Sequence, residues 1–277
     1  MIKKRILHLF NRLGYTITKI HLNDLEHYYQ LYEKDDVQHR RFYNIGAGMF
    51  RHPAWTNIDY YSEHYKMNPI DINYNILEKK PLPIPDNTAR IVYSSHTIEH
   101  VTDEAASYLF KETYRILKKN GYLRITAPDI NLHYQSVLHN DLSFWRWHLS
   151  QTKKNTPSPT IKQLFLSSFA TQLSSLHQQN DTKQITDTEF DDIFTKNSFD
   201  QALNHCTKRC SLTVQQQNPG EHINWWNKEK LQRMLHDAGF NTVYPSGYGQ
   251  SRCPILRNTA YFDMTHPSFS LYVEAQK

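Results

Sequence analysis

The sequence predicts an α/β domain with a mostly parallel sheet, on three observations. Strand-like runs alternate with helical ones from Phe42 onward. The turn Asn44-Ile45-Gly46-Ala47-Gly48 closes the first strand, and an acid, Asp59, ends the second. Strand, helix and strand in that order imply a right-handed crossover and parallel pairing. Open sheets of this kind bind ligands at the carboxyl ends of their strands.

Phe42-Tyr43-Asn44-Ile45 reads as a buried strand, and Thr56-Asn57-Ile58-Asp59 as a second. Arg90-Ile91-Val92-Tyr93-Ser94 is another, and Tyr122-Leu123-Arg124-Ile125-Thr126 is one more, stopped by Pro128. Between the last two, Asp103 can cap a helix whose apolar face is Ala106, Leu109, Phe110, Thr113 and Leu117. Its predicted end is Lys118-Lys119-Asn120-Gly121, a cationic last turn followed by glycine. Residues 133–221 are rich in Gln, Asn, Ser, Thr and His, with Pro157 and Pro159 and no strand run, and predict a helical insertion or lid. Asn227 can cap a further helix along Leu231, Met234, Leu235 and Ala238, ending at Gly239. Thr242-Val243-Tyr244 and Ser270-Leu271-Tyr272-Val273-Glu274 are terminal strands.

The chain therefore divides into an N-terminal helix and polar linker (1–41), a core (42–132), the insertion (133–221) and the rest of the core (222–277). In the first part Ile2, Ile6, Leu9 and Leu13 recur at helical spacing, with Lys3, Lys4, Arg5 and Arg12 largely elsewhere on the wheel. Packing of this helix against the core is the favoured expectation; contact with an anionic membrane surface is the alternative.

With 277 residues and 39% hydrophobic content, the chain can bury one α/β domain and a decoration. No apolar run approaches the roughly 20 residues that span a bilayer, and His8 interrupts the short apolar stretch at the start. Three cysteines make no disulfide framework, which suits a reducing, cytoplasmic setting, with the inner face of a membrane as a place of peripheral contact. A net charge of +5 falls short of a concentrated basic patch and disfavours nucleic acid as partner. His205, Cys206 and Cys210 lack the second pair that a structural zinc site needs, so no metal is expected there.

Gly46 and Gly48 let the backbone turn tightly and lie close to a ligand, and a carboxylate at Asp59 can accept from both hydroxyls of a ribose. In dinucleotide enzymes a third glycine follows and the acid comes about 20 residues later. Here Arg51 takes the glycine's place and Asp59 comes sooner. The spacing favours S-adenosylmethionine, which has no pyrophosphate to cradle.

The series Asn44-Ile45-Gly46-Ala47-Gly48, Trp55-Thr56-Asn57-Ile58-Asp59, Pro81-Leu82-Pro83-Ile84-Pro85-Asp86-Asn87, Ser94-Ser95-His96-Thr97-Ile98-Glu99-His100-Val101 and Glu112-Thr113-Tyr114-Arg115-Ile116-Leu117-Lys118-Lys119-Asn120-Gly121-Tyr122-Leu123 resembles the type-11 class I methyltransferases, nearest to a branch found among glycan-modification enzymes. The resemblance covers about 42–129 and resumes from Trp225. It implies a Rossmann-like fold, with a seven-stranded, mostly parallel sheet and an antiparallel last strand. It also implies a cofactor site in which Gly46, Ala47 and Gly48 approach the methionyl part, Asp59 holds the ribose and Tyr74-Asn75-Ile76 edges the adenine, with Asp71 as a rival. Asn44 and Asn75 stand where the family often has acids.

Ser95, His96, Glu99 and His100 follow the fourth strand predicted for such folds, at the ligand-binding edge. The Asn/Asp-Pro-Pro-aromatic motif of amino-directed nucleic-acid methyltransferases is absent there. His96 is the candidate base for an acceptor hydroxyl, with His100, Asp129 and His133 as rivals. Equally, Glu99 and His100 can form a purely structural helix turn. Trp225 and Trp226 read first as core packing and second as a stacking platform. The expected activity is methylation of a sugar or glycan hydroxyl. A small-metabolite O- or N-methyltransferase and a non-catalytic binding module are the alternatives.

Overall fold

The computed structural model describes residues 2–15, 24–63, 66–146, 149, 159–177 and 183–277. Its strands are β1 (Phe42–Ile45), β2 (Trp55–Asp59), β3 (Ile72–Asn73), β4 (Ala89–Ser95), β5 (Leu117–Pro128), β6 (Thr242–Pro245) and β7 (Ser270–Gln276). They form one sheet in the order β3-β2-β1-β4-β5-β7-β6. Pairing is parallel from β3 to β5, and β7 runs antiparallel between β5 and β6. This is the predicted seven-stranded sheet with a reversed last strand. The strand order turns at β1 and β4, whose carboxyl ends open a crevice between them.

Two helices cover one face. α4 (Asp103–Ile116) and α10 (Lys228–Asp237) bury Leu109, Phe110, Leu231 and Leu235 against Ile45, Ile58, Val92 and Ile125. α4 ends before the predicted cationic turn, and Thr102 rather than Asp103 caps its start, accepting from the Ala105 N–H. Leu117 belongs to β5 instead, paired with Ala89 and fully buried. The next residues bulge, with Asn120 at φ 65, before Tyr122 pairs with Ile91. Tertiary burial of Leu117 overrides helical periodicity there.

α1 (Ile2–Arg12) forms as predicted, but Ile6, Leu7, Leu9, Phe10 and Leu13 are exposed, so the favoured packing against the core is not realised. The expected linker holds two short helices, α2 (Leu25–Leu31) and α3 (Lys34–Gln38). Tyr28 and Val37 pack with Phe42 and Trp55, and the Tyr28 hydroxyl accepts from Trp55 Nε1 at 2.6 Å. The fully buried Asp36 is held by Arg41, Arg90 and Lys118. Neither helix is long enough to show a periodicity.

A helical stretch between β5 and α10 runs through α5 (Ile130–Leu138), α6 (Ile161–Ser167), α7 (Asp187–Lys196), α8 (Phe199–Thr207) and α9 (Leu212–Gln217). It has its own core, centred on Phe165, Phe169, Phe190 and Leu203. Burial pushes the Cys206 and Cys210 thiols up to about 12. Trp225 joins this core and Trp226 the main one, with the Lys230 ammonium 4.1 and 4.6 Å from their rings. The two tryptophans are packing residues that join the units.

Candidate active site

β1 ends in a turn that only glycine suits. Gly46 sits at φ 67, its N–H bonded to the Ile58 carbonyl at 2.8 Å, and a Cβ there would overlap the Thr97 side chain. Gly48, at φ 54, has open space where a side chain would begin. Gly46→Ala is expected to cost about 2–4 kcal/mol, from the left-handed backbone and the overlap together. A thermal melt within a degree of wild type would contradict this packing.

The turn frames a cavity of about 580 Å³ at the carboxyl ends of β1, β2 and β4. Its wall brings together Asn44, Gly46, Ala47, Gly48, Asp59, Asn75, Ile76, Ser95, His96 and His100. Asp59 accepts from the Gly48 N–H at 2.8 Å through one oxygen and from the Tyr60 N–H at 2.8 Å through the other. Each oxygen keeps acceptor capacity for a diol. Asn44 is 3% exposed, and its Oδ1 has no hydrogen-bond partner among the described residues, leaving an acceptor at the wall for an ammonium or amide donor. Asn75 accepts from the Leu77 N–H at 3.0 Å, which presents the Ile76 turn as an apolar edge. Open glycine backbone, a half-satisfied carboxylate and an orphaned buried amide oxygen suit a methionyl-ribosyl-adenine ligand.

Three predicted site residues lie outside the cavity wall. Asp71 is committed to Arg40, at 2.9 and 2.7 Å, and accepts from the Asn57 N–H. Asp129 caps α5, accepting from the Asn131 and Leu132 N–H groups, and burial raises its pKa. His133 is 3% exposed and stacked on Trp145 between Phe144 and Phe269. Adjacency to a strand end suggested Asp129 and His133, but α5 carries them away from the cavity, while Asp71 is held beside β2 by Arg40 and the Asn57 N–H.

His96 does face the cavity. It holds a left-handed backbone, φ 51, of the kind that costs about 1–3 kcal/mol. Its Nε2 meets the Ser270 hydroxyl at 2.7 Å, and its Nδ1 lies 3.2 Å from Glu99 Oε1. Glu99 is 1% exposed. Burial acts to raise its pKa, but the neighbouring His96, His100 and His222 prevail and hold it at about 2. Ser95 is bonded to Thr126 at 2.8 Å.

The wall also includes residues that local patterns did not reveal: Tyr60, Asn68 and Thr97 nearby, Gln215, Gln216 and Pro219 from the insertion, and Tyr261, Met264 and Thr265 before β7. Thr97 alone had a signal, its place beside His96. Gln215 and Gln216 come from α9 and the rest from loops, and their approach is set by distant packing.

Residues 54–125 match the model of a methyltransferase domain family. No curated protein matches the chain. Among solved structures it is similar to an S-adenosylmethionine-dependent methyltransferase from Archaeoglobus fulgidus (13% identity, 85% of each chain covered, TM-score 0.39). It is likewise similar to one from Mesorhizobium loti (12%, 86% of this chain and 90% of that one, TM-score 0.39). A third, a possible histamine N-methyltransferase from Thermotoga maritima, has 14% identity over 98% and 99% of the two chains and a TM-score of 0.37. The strand order is that of the Rossmann-like class I methyltransferase fold, and the segment 54–125 within it matches the methyltransferase domain model. S-adenosylmethionine is the methyl donor of that class.

Proposed function

We propose that this chain methylates an oxygen of a sugar or glycan precursor, using S-adenosylmethionine. The observation that carries the reading is the single cavity in which the glycine turn, Asp59 and Asn44 meet His96 and the insertion residues Gln215, Gln216 and Pro219. When bound, the cofactor supplies an electrophilic methyl group on a sulfonium. Gly46 and Gly48 would lie along its methionyl part, Asn44 would accept from its amino group, Asp59 would hold the ribose, and Asn75 and Ile76 would edge the adenine.

The acceptor then enters from the side of His96. Its hydroxyl proton passes to His96 Nε2, which now meets Ser270, while the Glu99 carboxylate steadies the imidazolium through Nδ1. The insertion residues at the wall support a lid that excludes water and orients the acceptor. Polar Gln215 and Gln216 suit a hydroxyl-rich partner. The exposed apolar side chains of α1, in a segment that also carries Lys3, Lys4, Arg5 and Arg12, support peripheral contact with an anionic membrane.

The test is a radiolabelled methyl-transfer screen across nucleotide sugars, glycan lipids, small hydroxylated metabolites and RNA, paired with calorimetric titration of S-adenosylhomocysteine. Label on a sugar hydroxyl is expected, and label confined to RNA or to amines would overturn the acceptor assignment. His96→Ala should lower turnover about 100-fold or more while leaving S-adenosylhomocysteine affinity within about twofold. A loss explained wholly by weaker cofactor binding would remove His96 from proton transfer.

A further inference from the structure

Glu99, which also faces His96, lies beside two histidines, His100 and His222, that the proton transfer does not use. We propose that Glu99, His100 and His222 form a binding site for a divalent transition-metal cation, with Zn²⁺ as the best match, at the wall of the cavity. One ligand atom from each of the three lies within 4.8 Å of the others. The site goes beyond the methyltransferase reading and does not rest on it.

The tautomers argue for a ligand set rather than a chance cluster. His100 Nδ1 is 3.1 Å from the Glu221 carbonyl, and His222 Nδ1 is 2.7 Å from the Ser168 carbonyl. A carbonyl can only accept, so each Nδ1 carries a hydrogen, and in the neutral ring each Nε2 keeps its lone pair. Metal-bound histidines are oriented in this way, the far nitrogen donating to a carbonyl.

The carboxylate is the second, independent observation. Glu99 is 1% exposed, yet neither of its oxygens accepts a well-directed hydrogen bond. Its Oε1 lies 3.2 Å from His96 Nδ1 and 4.0 Å from His100 Nε2. The ion pair with His96 engages Oε1 alone, so Oε2 keeps acceptor capacity that a cation can take up. The backbone fixes the arrangement, because the Glu99 carbonyl accepts from both the Ile223 and Asn224 N–H groups, clamping the 222–224 segment against the turn after β4.

Two imidazole nitrogens and one carboxylate oxygen are the set that holds Zn²⁺ with a coordination position left open. His100 also lines the cavity, so the open position would be near the acceptor side and could take a water or a substrate oxygen.

Calorimetric titration of the full chain with Zn²⁺ should show one site, and Co²⁺ should give visible ligand-field absorption that Zn²⁺ displaces. Glu99→Gln and His222→Ala are expected to weaken Zn²⁺ binding at least about tenfold, while His39→Ala, an exposed histidine elsewhere, leaves it unchanged. If His222→Ala does not fold, as read by circular dichroism, His100→Gln makes the same comparison. Absence of Zn²⁺ and Co²⁺ binding in the wild type, or equal binding by the ligand variants and wild type, would overturn the site. These readouts measure metal directly and stand whatever the methyl-transfer screen returns.

Discussion

Asp263→Ala is expected to destabilise the fold by about 3–5 kcal/mol, because it strands a buried guanidinium. Arg124, on β5, is fully buried with Asp263 and Glu274. Its Nε and Nη2 donate to the two Asp263 oxygens at 2.9 and 2.5 Å, and Nη1 donates to Glu274 at 3.0 Å. Asp263 also accepts from the Gly249 N–H at 2.9 Å, and its own N–H donates to the Tyr93 hydroxyl at 2.7 Å. One carboxylate thus ties the loop before β7 to β4, β5 and the turn after β6. At about 2–4 °C per kcal/mol for a chain of this size, the melting temperature should fall by roughly 6–20 °C. Asp263→Asn keeps the shape and tolerates the left-handed backbone at φ 61, so it should lose less. Alanine melting within about 2 °C of wild type would show that the network contributes little.

Asp59→Ala is expected to weaken S-adenosylhomocysteine binding roughly 10- to 100-fold, the scale of losing hydrogen bonds to a charged acceptor. The same carboxylate holds the Gly48 and Tyr60 N–H groups, so the alanine variant mixes loss of ribose contact with loosening of the turn. Asp59→Asn separates the two, since an amide oxygen can still accept from Gly48 but offers no second oxygen and no charge. Weak binding by both variants, with melting curves close to wild type, supports direct contact. Weak binding by alanine with full binding by asparagine makes Asp59 a loop anchor only, and full binding by both removes it from the site.

Much of the cavity wall at the glycine turn was legible because its residues are local in sequence. The turn at Gly46 and Gly48 and the acid at Asp59 each sit at the end of a strand whose apolar run marks it. Parallel pairing then brings the ends of β1, β2 and β4 together without further information. At the end of β4 and just beyond it, the wall was legible at Ser95, His96 and His100. Asp129 and His133 follow a strand end just as His96 does, yet one caps α5 and the other is stacked among aromatic rings. Periodicity was silent on α2 and α3, where Asp36 takes three cationic partners, Arg41 just before β1, Arg90 on β4 and Lys118 on β5.

By itself, the sequence determined the class of sheet, the reversed last strand expected from the family resemblance, and the glycine turn with its acid, because strand runs, turn residues and caps act over a few neighbouring positions. Only the tertiary structure decided which polar residues share a space. His222 reaches Glu99 across 123 positions because main-chain hydrogen bonds clamp its segment to the turn after β4. Arg124 finds Asp263 because both are sealed in one interior, where an unpaired charge is too costly to persist.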